Sequence, residues 1–180
     1  MKKNVLVFGL ISGLIISVLM VVFMAIGVGC SGDNPNYELG MLLGYTSMIL
    51  SFSFVFAGVK NFRDKYNEGI ITFGKAFKVG ILITLISCTF YVLTWLVEYY
   101  CFMPDFMDNY TAHMLKTAQE SGASPTEIAQ TMAEMASYKE MYKNPVIVIL
   151  MTYAEVLPVG LLFTLLSALV FKKKVKVSAN

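Results

Sequence analysis

Four long runs of apolar residues, separated by shorter polar segments, dominate the pattern along this chain. The runs cover about 5–28, 41–59, 79–100 and 146–171. Each run has the ~20 residues that an α-helix needs to cross about 30 Å of hydrocarbon. The pattern therefore predicts an all-α polytopic membrane protein, in which four transmembrane helices form a bundle and residues 1–180 form a single domain.

The composition agrees with that architecture. The chain is 57% apolar and 14% charged, whereas a soluble domain carries about 25% charged residues. This number of charges is too small to keep a globular protein of this length in solution. Lipid must therefore cover much of the surface. The lipid bilayer is therefore the first partner that we expect.

The basic residues are distributed unequally between the two sides of the four predicted spans. Basic residues concentrate on the cytoplasmic side of membrane proteins, which predicts that both termini are cytoplasmic. A basic run that directly follows a span is typical of a topological anchor, so we expect no nucleic-acid partner. Of the fourteen Lys and Arg, eleven would share one side (Lys2, Lys3, Lys60, Arg63, Lys65, Lys75, Lys78, Lys172, Lys173, Lys174 and Lys176) and three the other (Lys116, Lys139 and Lys143).

The amino-terminal run also resembles a secretory signal, and Cys30 stands where a lipoprotein would be cleaved. The apolar region of a signal peptide has 7–15 residues, and this run is longer. Gly27 also occupies the position where a lipoprotein signal normally has leucine. We therefore expect the run to be retained as a helix.

Small residues recur at helical spacing in the first two spans. Gly9, Gly13 and Ser17 follow one another every four positions, and Gly40 and Gly44 repeat that spacing where the second span begins. Small residues let two membrane helices approach closely. We expect both sets to be helix-packing faces, available to this chain or to another one.

Two polar segments connect the spans at opposite sides. The cytoplasmic link over 60–78 alternates aromatic residues with cations, which is typical of a segment in the headgroup layer. The outer loop over 101–145 contains Ser124, Pro125 and Glu127 in the order that starts a helix. We expect an amphipathic helix over about 125–143 whose apolar face rests on the membrane, docks on a partner or, by default, caps the bundle. That face would contain Ile128, Met132 and Met135.

Several ordered motifs resemble the bacterial membrane family known as domain of unknown function 4199. The resemblance runs nearly from end to end and implies a small four-span protein of the bacterial cytoplasmic (inner) membrane, with no established activity. The motifs are Gly44-Tyr45, the stretches 58–64 and 69–77, Tyr91-x3-Trp95-x2-Glu98, Pro104-Asp-Phe106 and Thr152-x2-Glu155-x2-Pro158-Val-Gly160.

The inventory of reactive residues predicts no catalytic site, no metal site and no cofactor. His113 is the one histidine, and it does not stand in the sequence context that a His-based zinc site or a Ser-His pair requires. The chain also lacks a phosphate-binding loop. Cys30 and Cys101 both flank outer helix ends, where a disulfide is chemically allowed, but we expect two separate thiols. We therefore do not expect an enzyme.

Two acidic residues lie in or near the predicted hydrocarbon region. Glu98 follows Trp95 at the outer end of the third span, where an interfacial anchor can reach water. Glu155 lies nine residues into the fourth span, at a depth of ~13 Å, where a charge costs at least ~2.5–3.5 kcal/mol. We expect Glu155 to face the bundle interior, either protonated, hydrogen-bonded or in contact with a watery cavity.

The neighbours of Glu155 extend this hypothesis. Pro158 has no N–H to donate to the carbonyl of Ala154, which predicts a kink and a free acceptor beside the acid. Hydrogen-bond partners for the carboxyl would be Tyr91, Thr94 or a serine of the second span. An intramembrane carboxyl is either functional or a structural contact that fixes helix packing.

Two function classes follow from these observations. The first is a scaffold or accessory subunit of a membrane complex, in contact with another membrane protein or with further copies of itself. The second is a small transporter or channel component that uses Glu155 at the Pro158 kink. The first ranks higher, because one acid without visible inverted repeats is a weak indication of transport.

Overall fold

The computed structural model describes residues 1–27 and 36–173, which fold almost entirely into helices. One turn of π-helix, Glu98–Phe102, continues directly from the third helix. The helices are α1 (Lys2–Ala25), α2 (Tyr37–Tyr66), α3 (Phe73–Val97), α4 (Phe106–Glu120), α5 (Pro125–Met141) and α6 (Pro145–Phe171).

Four of these helices are long and apolar enough to cross a membrane: α1, α2, α3 together with its π-helical turn, and α6. The prediction of an all-α, four-span membrane protein is therefore confirmed. The six helices include one, α4, that the sequence analysis did not predict.

The predicted cytoplasmic link over 60–78 is largely helical. Helix α2 continues to Tyr66 and α3 begins at Phe73, so only a short turn separates them. Arg63 and Lys65 lie in the last turn of α2, where cations stabilise the helix dipole. Gly69, with φ of +76°, supplies the left-handed conformation that reverses the chain.

The described chain divides into two compact units. The first contains Met1–Thr94 and the part of α6 that begins at Tyr153, and the second contains Trp95–Thr152. Most of the four spans therefore belong to the first unit. The helices of the outer loop belong to the second.

In the first unit, α1 packs on α2 through reciprocal polar contacts. The hydroxyl of Ser12 donates to the carbonyl of Ser51 at 2.8 Å, and the hydroxyl of Ser51 donates to the carbonyl of Ser12 at 2.7 Å. In the first turn of α1, Asn4 Nδ2 donates to the carbonyl of Gly58 at 2.9 Å. Buried polar groups of a membrane helix must be satisfied by neighbouring helices, and these contacts do so.

The small-residue face of α1 packs on α3 of the same chain. A Cβ atom added to Gly13 would lie 2.7 Å from the ring of Phe90, and one added to Gly9 would lie 2.9 Å from Ile86. The hydroxyl of Thr94 donates to Ser17 at 2.7 Å. This face is therefore occupied within the bundle and is not available to another chain.

The corresponding residues of α2 are in a different environment. A Cβ atom added to Gly44 would meet nothing within 4 Å, and Gly40 is partly exposed. Gly44 is therefore not required for a close contact within the described residues.

In the second unit, α4 and α5 pack on each other. Helix α5 starts where the sequence predicts, because the Ser124 side chain accepts from the backbone N–H of Glu127 while the Glu127 carboxylate accepts from the backbone N–H of Ser124. The predicted apolar face is only partly right. Met135 is buried, but Met132 is 56% exposed.

The true inner face of α5 follows the residues that are least exposed. Ile128, Thr131, Met135 and Tyr142 are buried or half-buried and share one side of the helix. Met132 lies next to this stripe rather than in it. We assigned Met132 to the inner face of α5 because it is hydrophobic, whereas Thr131 occupies that place on the inner face.

Candidate functional site

Glu155 lies on the outward side of α6, which contradicts the prediction that it faces the bundle interior. It is ten residues from Pro145, where α6 begins, and therefore about 15 Å along the helix axis. Its side chain is exposed, as are those of Pro158 and Leu162. A carboxyl group therefore occurs on the outer surface of a membrane-spanning helix, near the middle of the span.

The rotation of α6 is set by the residues that it turns toward the core. Val156, Gly160 and Thr164 are all buried and follow one another every four positions. A residue at this spacing stays on one helix face, so Glu155 and Pro158 fall outside it. The position of the acid is thus a consequence of how α6 packs on its neighbours.

The contact that fixes this rotation is between α3 and α6. A Cβ atom added to Gly160 would lie 2.4 Å from Cγ2 of Thr84, so only glycine permits this approach. The Thr84 hydroxyl donates to the carbonyl of Gly160 at 3.3 Å and lies 2.9 Å from the hydroxyl of Thr164. Close backbone approach and hydroxyl pairing therefore occur at the same point, as is typical of membrane helix interfaces.

Tyr91 is the residue of α3 that reaches Glu155. Its side chain is almost fully buried, and its hydroxyl donates a hydrogen bond to the Glu155 carboxyl. Of the partners that the sequence suggests, Tyr91 alone is placed this way by the structure. Thr94 instead donates to Ser17 and to the carbonyl of Phe90.

The serines of α2 are also committed elsewhere. Ser51 bonds to Ser12 of α1, whereas Ser47 and Ser53 donate to carbonyls of their own helix. A hydroxyl in a membrane helix commonly bonds back in this way. The suggested contact of a second-span serine with Glu155 is therefore wrong.

Pro158 adds a second polar feature to the same side of α6. The helix continues through this proline, which has no N–H to give to the carbonyl of Ala154. Ala154 is itself exposed and adjacent to Glu155. The outward face of α6 therefore presents a carboxyl group close to a carbonyl that lacks its usual helical hydrogen bond.

No cation within the described parts of the four membrane helices lies near the depth of Glu155. The basic residues of α1 lie at its start, those of α2 at its end and those of α3 in its first turns. All of them are near the helix ends, and α6 contains none. The Tyr91 hydroxyl is therefore the polar contact that the described part of the chain provides for this acid.

Glu98 does not match the predicted interfacial anchor. Its side chain is only 4% exposed, and Oε1 has no hydrogen-bond partner among the described residues. It begins the π-helical turn, in which the N–H of Met103 bonds to the carbonyl of Glu98 at 2.9 Å. The prediction assumed a regular helix end that faces water, and a π-helical turn alters which residues share a face.

The aromatic residues that follow pack on one another. The ring centroids of Trp95 and Phe106 are 5.3 Å apart, and those of Tyr99 and Tyr142 are also 5.3 Å apart. Both pairs are close to edge-on, which is a favourable arrangement for aromatic rings. Trp95 therefore packs in an aromatic cluster that joins the π-helical turn to the first residue of α4 and to the residue after α5 in the second unit.

Metal and redox chemistry have no assembled site in the described ranges. No group of three His, Cys, Asp or Glu side chains in residues 1–27 and 36–173 could hold a metal ion. Cys88 is a buried free thiol and Cys101 an exposed one. Cys30, the other half of the suggested disulfide, lies outside the described residues.

Comparisons with known proteins identify a family and nothing further. No curated protein and no solved structure matches the chain. One family model, described as a protein of unknown function (DUF4199), matches residues 7–173. That range includes all four membrane helices except the first residues of α1, and it contains Glu155, Pro158 and Tyr91. The chain belongs to the DUF4199 family of proteins of unknown function.

Proposed function

We propose that this membrane protein is a non-catalytic scaffold or accessory subunit of a complex in the bacterial inner membrane. In this proposal, the outward face of α6 around Glu155 binds a transmembrane helix. The observation that supports it is the exposed carboxyl in the middle of a membrane-spanning helix, held by one hydrogen bond from Tyr91.

The energetic argument concerns what surrounds this carboxyl in a bilayer. An ionised side chain near the bilayer centre costs at least ~2.5–3.5 kcal/mol. Protonation removes the charge, but it leaves an O–H donor and an acceptor, of which Tyr91 satisfies only the acceptor side. A polar group without a partner in hydrocarbon still costs several kcal/mol. A neighbouring helix that supplies the missing partner would remove this cost.

The surface proposed here differs from the one that the sequence suggested. Gly9, Gly13 and Ser17 are occupied by α3 of the same chain, so they do not offer a face to another protein. The outward side of α6 is apolar apart from Glu155, with Leu162 54% exposed. A polar residue within an apolar face is typical of a membrane helix interface.

The alternative of a transport pathway through this chain receives no support from the position of Glu155. A pathway within the bundle would need the carboxyl to line its interior. The side chain lies instead on the outside of α6. We therefore retain the scaffold or accessory role as the proposed function.

Site-specific photo-crosslinking in living cells tests the proposal. A photoreactive amino acid is placed at Leu162, on the proposed surface, and at Leu85 of α3 as the matched control. Leu85 is 41% exposed and follows Thr84, which contacts Gly160 and Thr164 on either side of Leu162, so its depth is similar but it lies on a different helix. We expect a protein adduct from position 162 and none from position 85.

Two results would contradict the proposal. Labelling of lipid alone from both positions would mean that no protein covers this side of α6. Equal adducts from both positions would mean that proteins contact the bundle without preference for the Glu155 face.

A further inference from the structure

We infer that the helix bound at the Glu155 face is α6 of a second copy of this chain, in a parallel pair. This inference rests on the proposed function, because it names the partner for the same surface. The argument combines the spacing of the exposed residues, the depth of Glu155 and the hydrogen-bonding capacity of two carboxyl groups.

The exposed residues of α6 follow the spacing of a helix-pairing seam. From Glu155, the steps along the chain are three, four, three and four residues, and every residue reached in this way is exposed. Steps of three and four residues keep one seam facing a partner helix that crosses at a small angle. The residues after Glu155 are Pro158, Leu162, Leu165 and Leu169.

The membrane fixes how two copies can be related. Both copies have the same orientation in the bilayer, so a twofold axis between them must run along the membrane normal. Their α6 helices are then parallel, and equivalent residues lie at the same depth. Each Glu155 therefore meets Glu155 of the second copy, without any further adjustment of the two chains.

Two facing carboxyl groups supply what each of them lacks. In the neutral form, each has one O–H donor and free acceptor positions, so the two groups can donate to each other. Tyr91 of each copy continues to donate to its own Glu155. The donor that would otherwise face hydrocarbon thus gains a partner, without a cation from any source.

The chemistry of this pair excludes two ionised carboxylates. Two ionised carboxylates in direct contact would repel each other, so the pair must hold at least one proton. A helix with Lys or Arg at the same depth would be a different partner and would bind the ionised acid. The spans of this chain have no such residue near their middle, so a second copy can match Glu155 only as a proton-sharing carboxyl.

Cysteine crosslinking tests the inference. Cys30, Cys88 and Cys101 are replaced by alanine, and a single cysteine is introduced by Leu162→Cys or, as the control at the same depth, by Leu85→Cys. Membranes are treated with a mild oxidant and the masses of the products are measured. We expect a covalent dimer from position 162 and none from position 85.

Substitutions at Glu155 identify the contact that holds the pair. Glu155→Gln keeps one donor and one acceptor and should retain the dimer. Glu155→Leu should reduce the dimer yield several-fold, in a protein whose helix content is unchanged. Equal dimer yields from all three side chains would overturn the role of Glu155 in pairing.

A charge exchange gives a second test that does not depend on loss of binding. When the wild-type chain is expressed together with Glu155→Lys, an ion pair can replace the carboxyl pair. Mixed dimers should then exceed dimers of the lysine variant. A lysine variant that pairs with itself equally well would overturn the inference.

The two proposals fail in distinguishable ways. A photo-adduct of another mass from position 162, without a disulfide dimer, would contradict pairing with a second copy but would still support the accessory role. If neither an adduct nor a dimer forms, both proposals are contradicted.

Discussion

Single glycines and hydroxyls decide how the membrane helices of this protein meet. Gly160 lets α6 approach Thr84 of α3, and the Thr84 hydroxyl then bonds to α6. This contact sets the rotation of α6, and the rotation places Glu155 outside. Gly160 therefore determines where the candidate site lies, although it is not part of that site.

Gly160→Ala should destabilise the protein, because the new methyl group would lie 2.4 Å from Thr84 Cγ2. Overpacking of this kind costs about 1–3 kcal/mol, and we expect a lower midpoint of thermal unfolding in detergent. Gly44→Ala is the matched control, since its methyl group meets nothing within 4 Å. It should leave the midpoint unchanged or raise it, because alanine favours a helix by up to about 1 kcal/mol. Equal effects of the two substitutions would contradict the packing argument.

The side of α6 that faces the bundle could not be predicted from the sequence. Lipid and a protein core are both apolar, so an exposed Leu162 and a buried Val156 have the same chemical character. Only an acidic residue could distinguish the lipid-facing side of α6 from the core-facing side. We placed Glu155 inside on the assumption that a polar group avoids lipid. Tyr91 was predictable as its partner, because a hydroxyl on an adjacent span is a chemically suitable donor.

At the scale of the helix, local start signals and interhelical hydroxyls account for much of the arrangement. The capping residues Ser124 and Glu127 predict where α5 begins, and the structure confirms that start. Helix α4 has no side-chain cap at Asp105 and contains several residues of weak helix preference. It therefore gave no sequence signal, although it packs on α5.

The start of α5 should become less stable at low pH. Hydrogen bonds from the backbone and then the side chain of Ser124 lower the pKa of Glu127 below its ordinary value of 4.5. A lowered pKa stabilises the folded helix above the ordinary value, and this contribution is lost as the pH falls through the lowered one. Amide hydrogen-exchange protection in the first turns of α5, corrected for intrinsic rates, should therefore decrease as the pH falls below 4.5. Glu127→Gln should remove this part of the pH dependence, and an identical pH profile in the variant would count against the capping contact.

The pair of Ser12 and Ser51 should couple α1 to α2 by a measurable amount. The two hydroxyl oxygens lie 2.8 Å apart, and side-chain hydrogen bonds between membrane helices average about 0.6 kcal/mol, with values up to about 1.7. A double-mutant cycle with Ser12→Ala and Ser51→Ala, measured by unfolding in detergent, should give a coupling energy in this range. Additive effects of the two substitutions would show that the contact contributes nothing beyond packing.

At the scale of the whole molecule, charge distribution and apolar length determine the architecture. The four spans were predictable because each is long enough to cross hydrocarbon, and the structure confirms four such helices. Their ends were less predictable. Helix α2, for example, continues to Tyr66 through residues that resemble an interfacial link, since a charged helix end is stable in the headgroup region and in water.

The orientation in the membrane remains a prediction from the eleven-to-three division of Lys and Arg. A single cysteine is introduced at Glu120, an exposed residue at the end of α4, or at Asn180, in a background without Cys30, Cys88 and Cys101. An impermeant thiol reagent added to intact spheroplasts should label position 120 and not position 180. The opposite pattern would reverse the orientation.

The central claim is that another helix covers the Glu155 face of α6 in the membrane. Spin labels at Leu162 and, as the depth-matched control, at Leu85 report this directly when the purified full-length protein is placed in lipid vesicles, because oxygen dissolved in the bilayer reaches only labels that face lipid. The account predicts that oxygen broadens the spectrum of the label at position 85 much more than that of the label at position 162, and that the labels at 162 also show dipolar coupling between copies. High oxygen access at both positions, with no coupling at 162, would contradict it.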